Sequence, residues 1–146
     1  MITVLLADDH TLVRDALCYL LEAQGDIKII ATAANGEEAV ELAMRLCPDV
    51  AVLDISMPRM DGIEAAKRIC GHCSGTRIVM LTIYHTVEHV QHALQAGASG
   101  FVLKDAAGQE LVTAVRALYG GGSYFSPRID GIDDLDLPGV HRSQEN

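Results

Sequence analysis

Short, mostly apolar runs alternate with amphipathic stretches along most of the chain, and this alternation constrains the fold more than any other feature. Each run has five or six residues. Apolar runs of this length are typical of strands that are buried on both faces of a parallel sheet. The predicted strands are Ile2–Ala7, Lys28–Ala33, Val50–Asp54, Arg77–Leu81 and Ser99–Leu103.

The segments between these strands repeat their apolar residues with the period of a helix. Asn35 is placed to cap the second of them, because Glu38 follows three residues later, as in a capping box. The predicted helices are His10–Gln24, Asn35 to just before Pro48, Asp61–Cys70, His85–Ala96 and Gln109–Tyr119. Five strands and five helices joined by short loops predict an α/β fold. We expect a doubly wound, five-stranded parallel sheet in the flavodoxin-like order 2-1-3-4-5.

Length and charge limit the function further. A chain of 146 residues with a net charge of −9 fits one acidic domain. Because DNA affinity rests largely on Lys and Arg, we expect no direct nucleic-acid binding, and a cation or a basic surface is the better partner. No apolar run is long enough to span a bilayer, and the N-terminus does not resemble a signal peptide. We therefore expect a cytoplasmic protein that does not associate with membranes.

The pattern of strands and helices stops near Pro127. Residues 128–146 have no helical or strand period and carry two arginines against five acidic residues. Such a composition is typical of a flexible segment. We therefore predict one folded domain over residues 1–127 and an acidic, flexible tail over residues 128–146.

Five polar residues stand at the ends of predicted strands: Asp8, Asp9, Asp54, Thr82 and Lys104. Alone, each has an ordinary structural explanation as a helix cap, a turn residue or a solvated charge. Because the carboxyl ends of parallel strands share one edge of the sheet, however, all five are expected to meet where open α/β folds bind ligands. Their combination favours a functional site.

These residue types suit phosphoryl transfer. Three neighbouring carboxylates repel one another unless a cation lies among them, and hard oxygen ligands favour Mg²⁺, or Mn²⁺ in its place. A lysine ammonium and a threonine hydroxyl can neutralise the charge on a transferring phosphoryl group. Asp54 is then the natural nucleophile and would form an acyl phosphate.

The stretches LLADDH, DISMPRMDG, MLT and GASGFVLKDA together resemble the receiver domain of two-component response regulators, over residues 1 to about 127. The resemblance implies that Asp54 accepts phosphate from a phosphohistidine of a sensor histidine kinase. It also implies that Asp9 binds Mg²⁺ directly, Asp8 mainly through water, and Ser56 through its backbone carbonyl. Lys104 would pair with the phosphoryl group.

The resemblance further implies a switch. Thr82 would move its hydroxyl onto the phosphoryl oxygen, and Phe101 would be the aromatic switch residue, although it lacks the hydroxyl that a tyrosine would have. The surface of the fourth helix, fifth strand and fifth helix would then change and promote a phosphorylation-dependent homodimer.

The output of that switch is less defined by the sequence. The stretches LKDA and GGGSYFSP resemble receivers attached to a C-terminal helix-turn-helix DNA-binding domain, which these 146 residues do not contain. We therefore expect control of transcription through an attached or partner output domain. The alternative is a stand-alone receiver that acts by protein–protein interaction.

Two other functions fit part of the pattern. A phosphohydrolase with an aspartyl-phosphate intermediate would use similar chemistry, but Ser56 stands where such enzymes place their general acid. A flavin- or nucleotide-binding protein would need a phosphate-binding loop after the first strand, which has Asp-Asp-His instead. We therefore expect no enzyme beyond the catalysis of its own phosphorylation and dephosphorylation.

Two features have no assigned role. His85, His89 and His92 are predicted to form one exposed stripe on the fourth helix, which is either a solvated face or a surface sensitive to pH or a transition metal. Cys70 and Cys73 match the CxxC redox pattern, but they follow a predicted helix instead of beginning one, which disfavours thioredoxin-like chemistry.

Overall fold

The computed structural model describes residues 1–84 and 86–129 of the chain. Strands and helices alternate from the N-terminus, and a short 3₁₀ turn, Lys104–Ala106, leads into the last helix. The strands are β1 (Ile2–Ala7), β2 (Ile27–Ala33), β3 (Val50–Asp54), β4 (Arg77–Thr82), β5 (Gly100–Leu103) and β6 (Tyr124–Phe125). The helices are α1 (Thr11–Glu22), α2 (Gly36–Leu46), α3 (Gly62–His72), α4 (Val87–Gln95) and α5 (Ala107–Tyr119).

The six strands form one parallel sheet in the order β2-β1-β3-β4-β5-β6. The doubly wound α/β fold and the order 2-1-3-4-5 are therefore confirmed, with one strand added. In β6, Tyr124 pairs with Gly100 and Phe125 pairs with Phe101. A strand of two residues is too short to show a period in the sequence, which is why it was not predicted.

Two apolar layers cover the sheet. Alternate strand residues face opposite sides, so that Leu5 and Leu53 pack in one layer while Leu6 and Val52 pack in the other. The first layer also receives the buried faces of α2, α3 and α4, and the second receives those of α1 and α5. Every residue of β3 is buried, as its uninterrupted apolar sequence predicts.

The ends of the elements follow local chemistry. The Asn35 side chain accepts a hydrogen bond from the Glu38 backbone N–H at 2.9 Å, which confirms the predicted cap of α2. α4 begins two residues later than predicted, and α5 begins two residues earlier, because the 3₁₀ turn leads directly into it. None of the helices in the described part of the chain is long and apolar enough to cross a membrane.

The described chain continues past α5 as far as Ile129. Ser126 is fully buried, its hydroxyl accepts a hydrogen bond from the Leu103 N–H at 3.0 Å, and Ile129 is buried in the first apolar layer. This segment therefore packs beside β5. The rest of the predicted acidic tail lies outside the described residues.

Candidate functional site

The structure brings the predicted strand-end residues together at one edge of the sheet. Asp8 and Asp9 follow β1, Asp54 ends β3, Thr82 ends β4 and Lys104 follows β5. The Lys104 ammonium Nζ lies 3.0 Å from Asp54 Oδ2 and 3.1 Å from Asp8 Oδ2. One cation therefore joins two acidic strand ends that are 46 positions apart in the sequence.

Burial sets the electrostatics of this edge. Asp8 is inaccessible to solvent and Asp54 is 2% exposed. Burial raises the pKa of Asp54 from 3.8 to about 6; the hydrogen bond from Lys104 opposes the rise and the negative charge of Asp8 adds to it. Burial also lowers the pKa of Lys104, but the hydrogen bonds and charges of Asp54 and Asp8 outweigh this effect and raise that pKa overall. The ammonium therefore stays protonated between them.

His10 joins the acidic cluster, although the sequence patterns did not single it out. Its Nδ1 lies 3.2 Å from Asp8 Oδ1, 3.3 Å from Asp9 Oδ1 and 3.1 Å from Lys104 Nζ. Ligand atoms of Asp8, Asp9, His10 and Asp54 all lie within 4.8 Å of one another. The signal for His10 was its position directly after the two aspartates.

The donor set fits a divalent cation. Asp8 Oδ2 is buried and has no hydrogen-bond partner among the described residues, although the Lys104 ammonium lies 3.1 Å away as an ion pair. A buried carboxylate oxygen without a hydrogen bond is costly in a folded protein. Three carboxylates that converge around such an atom are the oxygen ligands that Mg²⁺ and Mn²⁺ prefer.

Thr82 is buried, and its hydroxyl already takes part in a hydrogen bond. Its hydroxyl Oγ1 accepts a hydrogen bond from the Tyr84 N–H at 2.9 Å. The Tyr84 ring stacks on the His89 ring of α4, with 4.2 Å between the ring centroids and 3° between the planes. The Thr86 hydroxyl also contacts His89 Nδ1 at 2.6 Å. These contacts connect the end of β4 to α4, and no sequence pattern predicted the role of Tyr84 in them.

The predicted histidine stripe is described only in part. His85 lies outside the described residues, His92 is exposed, and His89 is half-buried beneath Tyr84. The sensitivity of this face to pH or to a metal therefore stays a prediction.

Comparisons with known proteins agree with this geometry. The model of the response regulator receiver domain family matches residues 4–116. The chain belongs to the response regulator receiver family. This receiver is 42% identical over 131 residues to the transcriptional regulatory protein LiaR of Bacillus subtilis, an alignment that covers 90% of this chain and 62% of LiaR. It is 38% identical over 127 residues to the oxygen regulatory protein NreC of Staphylococcus carnosus, covering 86% of this chain and 58% of NreC.

Solved structures lead to the same family. The signal receiver domain of a NarL response regulator from Mycobacterium tuberculosis superimposes with a TM-score of 0.79 at 36% identity, covering 82% of this chain and 97% of that one. A LuxR-family two-component response regulator from Aurantimonas sp. SI85-9A1 gives a TM-score of 0.83 at 35% identity, covering 87% and 91%. The receiver spans about three fifths of the length of LiaR and NreC.

The loop after β3 shapes the acidic edge of this receiver. The Ser56 N–H donates to Asp54 Oδ1 at 3.2 Å, and the Gly62 N–H donates to the Ile55 carbonyl at 2.8 Å. A Cβ atom at Gly62 would collide with the Asp54 backbone carbonyl. Gly62 is therefore required where α3 approaches the end of β3. The role of the Ser56 carbonyl stays a prediction.

Phe101 lies in the centre of β5 and is fully buried. Its backbone neighbours are Met80 in β4 and Phe125 in β6, and all three side chains pack in or against the first apolar layer. The aromatic ring predicted to take part in switching thus occupies an inward position beside the added strand.

Proposed function

We propose that this receiver accepts a phosphoryl group on Asp54 from a phosphohistidine of a sensor histidine kinase. The observation that carries the proposal is the Lys104 ammonium held between the Asp54 and Asp8 carboxylates at 3.0 and 3.1 Å. A positive charge fixed beside a buried nucleophile favours transfer of a phosphoryl group, because the phosphoryl oxygens are negatively charged.

Transfer requires the ionised form of Asp54. With a pKa of about 6, the carboxyl is mostly ionised at neutral pH and is also more basic than an exposed aspartate. One of its oxygens attacks phosphorus, an O–P bond forms, and the P–N bond to the kinase histidine breaks. A divalent cation held by Asp8, Asp9 and Asp54, with the Ser56 carbonyl, would supply charge neutralisation at the phosphoryl oxygens. Attack of water on the acyl phosphate later restores Asp54.

Thr82 would transmit the effect of phosphorylation from Asp54 to α4. For the Thr82 hydroxyl to turn towards a phosphoryl group on Asp54, the 2.9 Å hydrogen bond that it accepts from the Tyr84 N–H must break. That change frees the loop whose Tyr84 ring stacks on His89 of α4. The Thr82–Tyr84–His89 contacts would then favour the unphosphorylated state, and Phe101 would repack beneath the surface of α4, β5 and α5.

Loss of the Tyr84–His89 stack should make the active state easier to reach. An aromatic stack contributes about 0.5–1.5 kcal/mol, so we expect His89→Ala to bind beryllofluoride, a phosphoryl analogue, about 2- to 10-fold more tightly. Titration in the presence of Mg²⁺ measures this affinity. His92→Ala is the matched control, because His92 lies on the same helix and is exposed. Equal affinities for the two variants would contradict this role of the stack.

A small phosphodonor tests the phosphoacceptor directly. Acetyl phosphate with Mg²⁺ should load one acid-labile phosphate per chain, and Asp54→Asn should abolish the label. Asp15→Asn, at an exposed aspartate of α1, should keep it. Release of many phosphates per chain would instead support the alternative of an aspartyl-phosphate phosphohydrolase, and a lack of incorporation would contradict both functions.

We further propose that the output is control of transcription through an attached or partner domain. In support, LiaR is named a transcriptional regulatory protein, and one solved relative at 27% identity with a TM-score of 0.76 is a DNA-binding response regulator of the LuxR family. The alternative is a stand-alone receiver that acts by protein–protein interaction. Phosphorylation-dependent homodimers and a cytoplasmic location, where a sensor kinase would meet its receiver, belong to the same proposal.

A further inference from the structure

Two cysteines lie at the ends of adjacent helices, far from the acidic edge. Cys47 is the residue that ends α2, and Cys73 is the residue that ends α3. Cys47 has a φ of 46°, in the left-handed region where a glycine is the usual residue. A residue other than glycine in this conformation stores backbone strain, and such strain is concentrated at functional sites.

The two helix ends are held side by side by hydrogen bonds. The Ala43 carbonyl of α2 accepts two hydrogen bonds, one from the Cys47 backbone N–H at 2.8 Å and one from the Cys73 thiol at 3.5 Å. Just beyond the helices, the Thr76 hydroxyl donates to the Pro48 carbonyl at 2.7 Å. The Cys73 thiol therefore lies against the turn that contains Cys47, and that turn is anchored to the segment after α3.

The CxxC pair has a different geometry. The Cys70 thiol contacts the Gly97 carbonyl at 3.6 Å, beyond the end of α4, while the Cys73 thiol contacts the end of α2. The two cysteines of the motif thus face different neighbours of α3. Cys47 and Cys73, which are 26 positions apart in the sequence, instead meet at the Ala43 carbonyl, Cys47 through its backbone N–H and Cys73 through its thiol.

We propose that Cys47 and Cys73 form a reversible disulfide under oxidation by a peroxide, and that this bond links the ends of α2 and α3. Cys47 is exposed, so it meets the oxidant first, whereas Cys73 is buried beside it. Burial raises the pKa of the Cys73 thiol, and the neighbouring Cys47 thiol raises it further. Because a raised pKa makes a thiol less reactive, Cys73 is not the cysteine that reacts with the peroxide. It is the one that then closes the disulfide with the oxidised Cys47.

The chemistry needs no other reactant. Hydrogen peroxide transfers one oxygen to the Cys47 sulfur, giving a sulfenic acid, and is itself reduced to water. The Cys73 sulfur then attacks the Cys47 sulfur. The S–S bond forms, the S–O bond breaks, and the leaving hydroxide departs as a second water with the proton of the Cys73 thiol. A thiol reductant reverses the bond.

Peptide mapping of the intact chain without reductant tests the proposal. After treatment with hydrogen peroxide, we expect two of the four cysteines to lose their reactivity to an alkylating reagent, and the peptides of Cys47 and Cys73 to be linked. Dithiothreitol should restore both thiols. The melting temperature of the oxidised chain should rise by several degrees, because the cross-link restricts the unfolded chain.

Three serine variants separate the pairings. Cys47→Ser should abolish the link, while Cys70→Ser and Cys18→Ser should keep it. Because Cys47 and Cys73 precede their neighbouring strands, they lie at the opposite edge of the sheet from Asp54, and labelling by acetyl phosphate should be unchanged on oxidation. A Cys70–Cys73 link, a link between chains, or oxidation of Cys47 without any link would overturn the proposal.

Discussion

Replacing Lys104 with methionine is expected to slow the phosphorylation of Asp54 by about 10²- to 10³-fold. The ammonium is the cation that the structure places within 3.0 Å of Asp54 and 3.1 Å of Asp8, and it is largely shielded from solvent. Without it, an incoming phosphoryl group meets two buried carboxylates with no fixed positive charge beside them. Quenched time courses with acetyl phosphate and saturating Mg²⁺ measure the rate.

The same substitution should destabilise the protein. Removing one partner of a buried ion pair commonly costs about 3–5 kcal/mol, because the remaining charge stays buried and unpaired. We expect part of this loss at pH 7 and less at pH 4, where Asp54 is protonated in the folded protein. Denaturant unfolding at both pH values measures the difference.

Two further variants distinguish a local effect from general unfolding. Lys67→Met removes an exposed lysine of α3 and should leave both the rate and the stability close to those of the parent. Lys104→Arg keeps the charge and should recover most of the stability but only part of the rate, since a planar guanidinium cannot reproduce the compact ammonium. A normal rate in folded Lys104→Met would rule out the proposed role.

The residues at the strand ends were predictable because a parallel sheet imposes strong constraints on its sequence. Strands buried on both faces must be apolar throughout, so the first polar residue after each run marks the sheet edge. Asp8, Asp54, Thr82 and Lys104 were located in this way, without knowledge of any distance. The structure confirms the strand order that brings them together.

The features that were not predicted depend on contacts between residues whose own sequence pattern is weak. The Tyr84 ring, which lies in the segment between β4 and α4, stacks on His89 in the first turn of α4. Tyr124 and Phe125 form a strand only because β5 offers an unpaired edge. A single exposed tyrosine or a two-residue strand carries no periodicity, so tertiary structure alone selects these interactions.

The Cys70–Cys73 motif illustrates the reverse case. The spacing is a clear pattern, but spacing within a helix end does not determine which way each thiol faces. In the structure Cys70 contacts the segment after α4, and Cys73 contacts the end of α2 beside Cys47. Here the sequence motif indicated the right kind of residue but not the pair that the fold brings together.

Replacing Asp54 with asparagine is expected to stabilise the metal-free protein at pH 7. Asp54 has a pKa of about 6 in the folded chain and 3.8 as its ordinary value, and it is 2% exposed. At about 1.4 kcal/mol for each pKa unit, this difference corresponds to roughly 3 kcal/mol as an upper bound. An asparagine amide keeps the shape of the side chain without the charge that is buried beside Asp8.

The sign of the pH dependence follows from the direction of the pKa change. Because the folded protein holds the Asp54 proton more tightly than the unfolded chain, the associated stability is present below pH 3.8 and is lost as the pH rises through about 6. The gain from Asp54→Asn should therefore be small near pH 4 and largest above pH 6. Unfolding by urea in the presence of a metal chelator, at pH 4, 5, 6 and 7, measures it.

Mg²⁺ should cancel much of the stability advantage of Asp54→Asn over the parent. A cation bound by Asp8, Asp9 and Asp54 stabilises the folded parent by about 2.7 kcal/mol at a concentration 100 times its dissociation constant, and Asp54→Asn would lose much of this gain. Asp105→Asn, at an exposed aspartate just after Lys104, serves as the control and should respond to Mg²⁺ as the parent does. If Asp54→Asn were instead less stable than the parent at pH 7 without metal, the ionised Asp54 would be a net stabilising group. In that case, burial of the Asp54 carboxylate would not lower the stability of this receiver for the sake of its function.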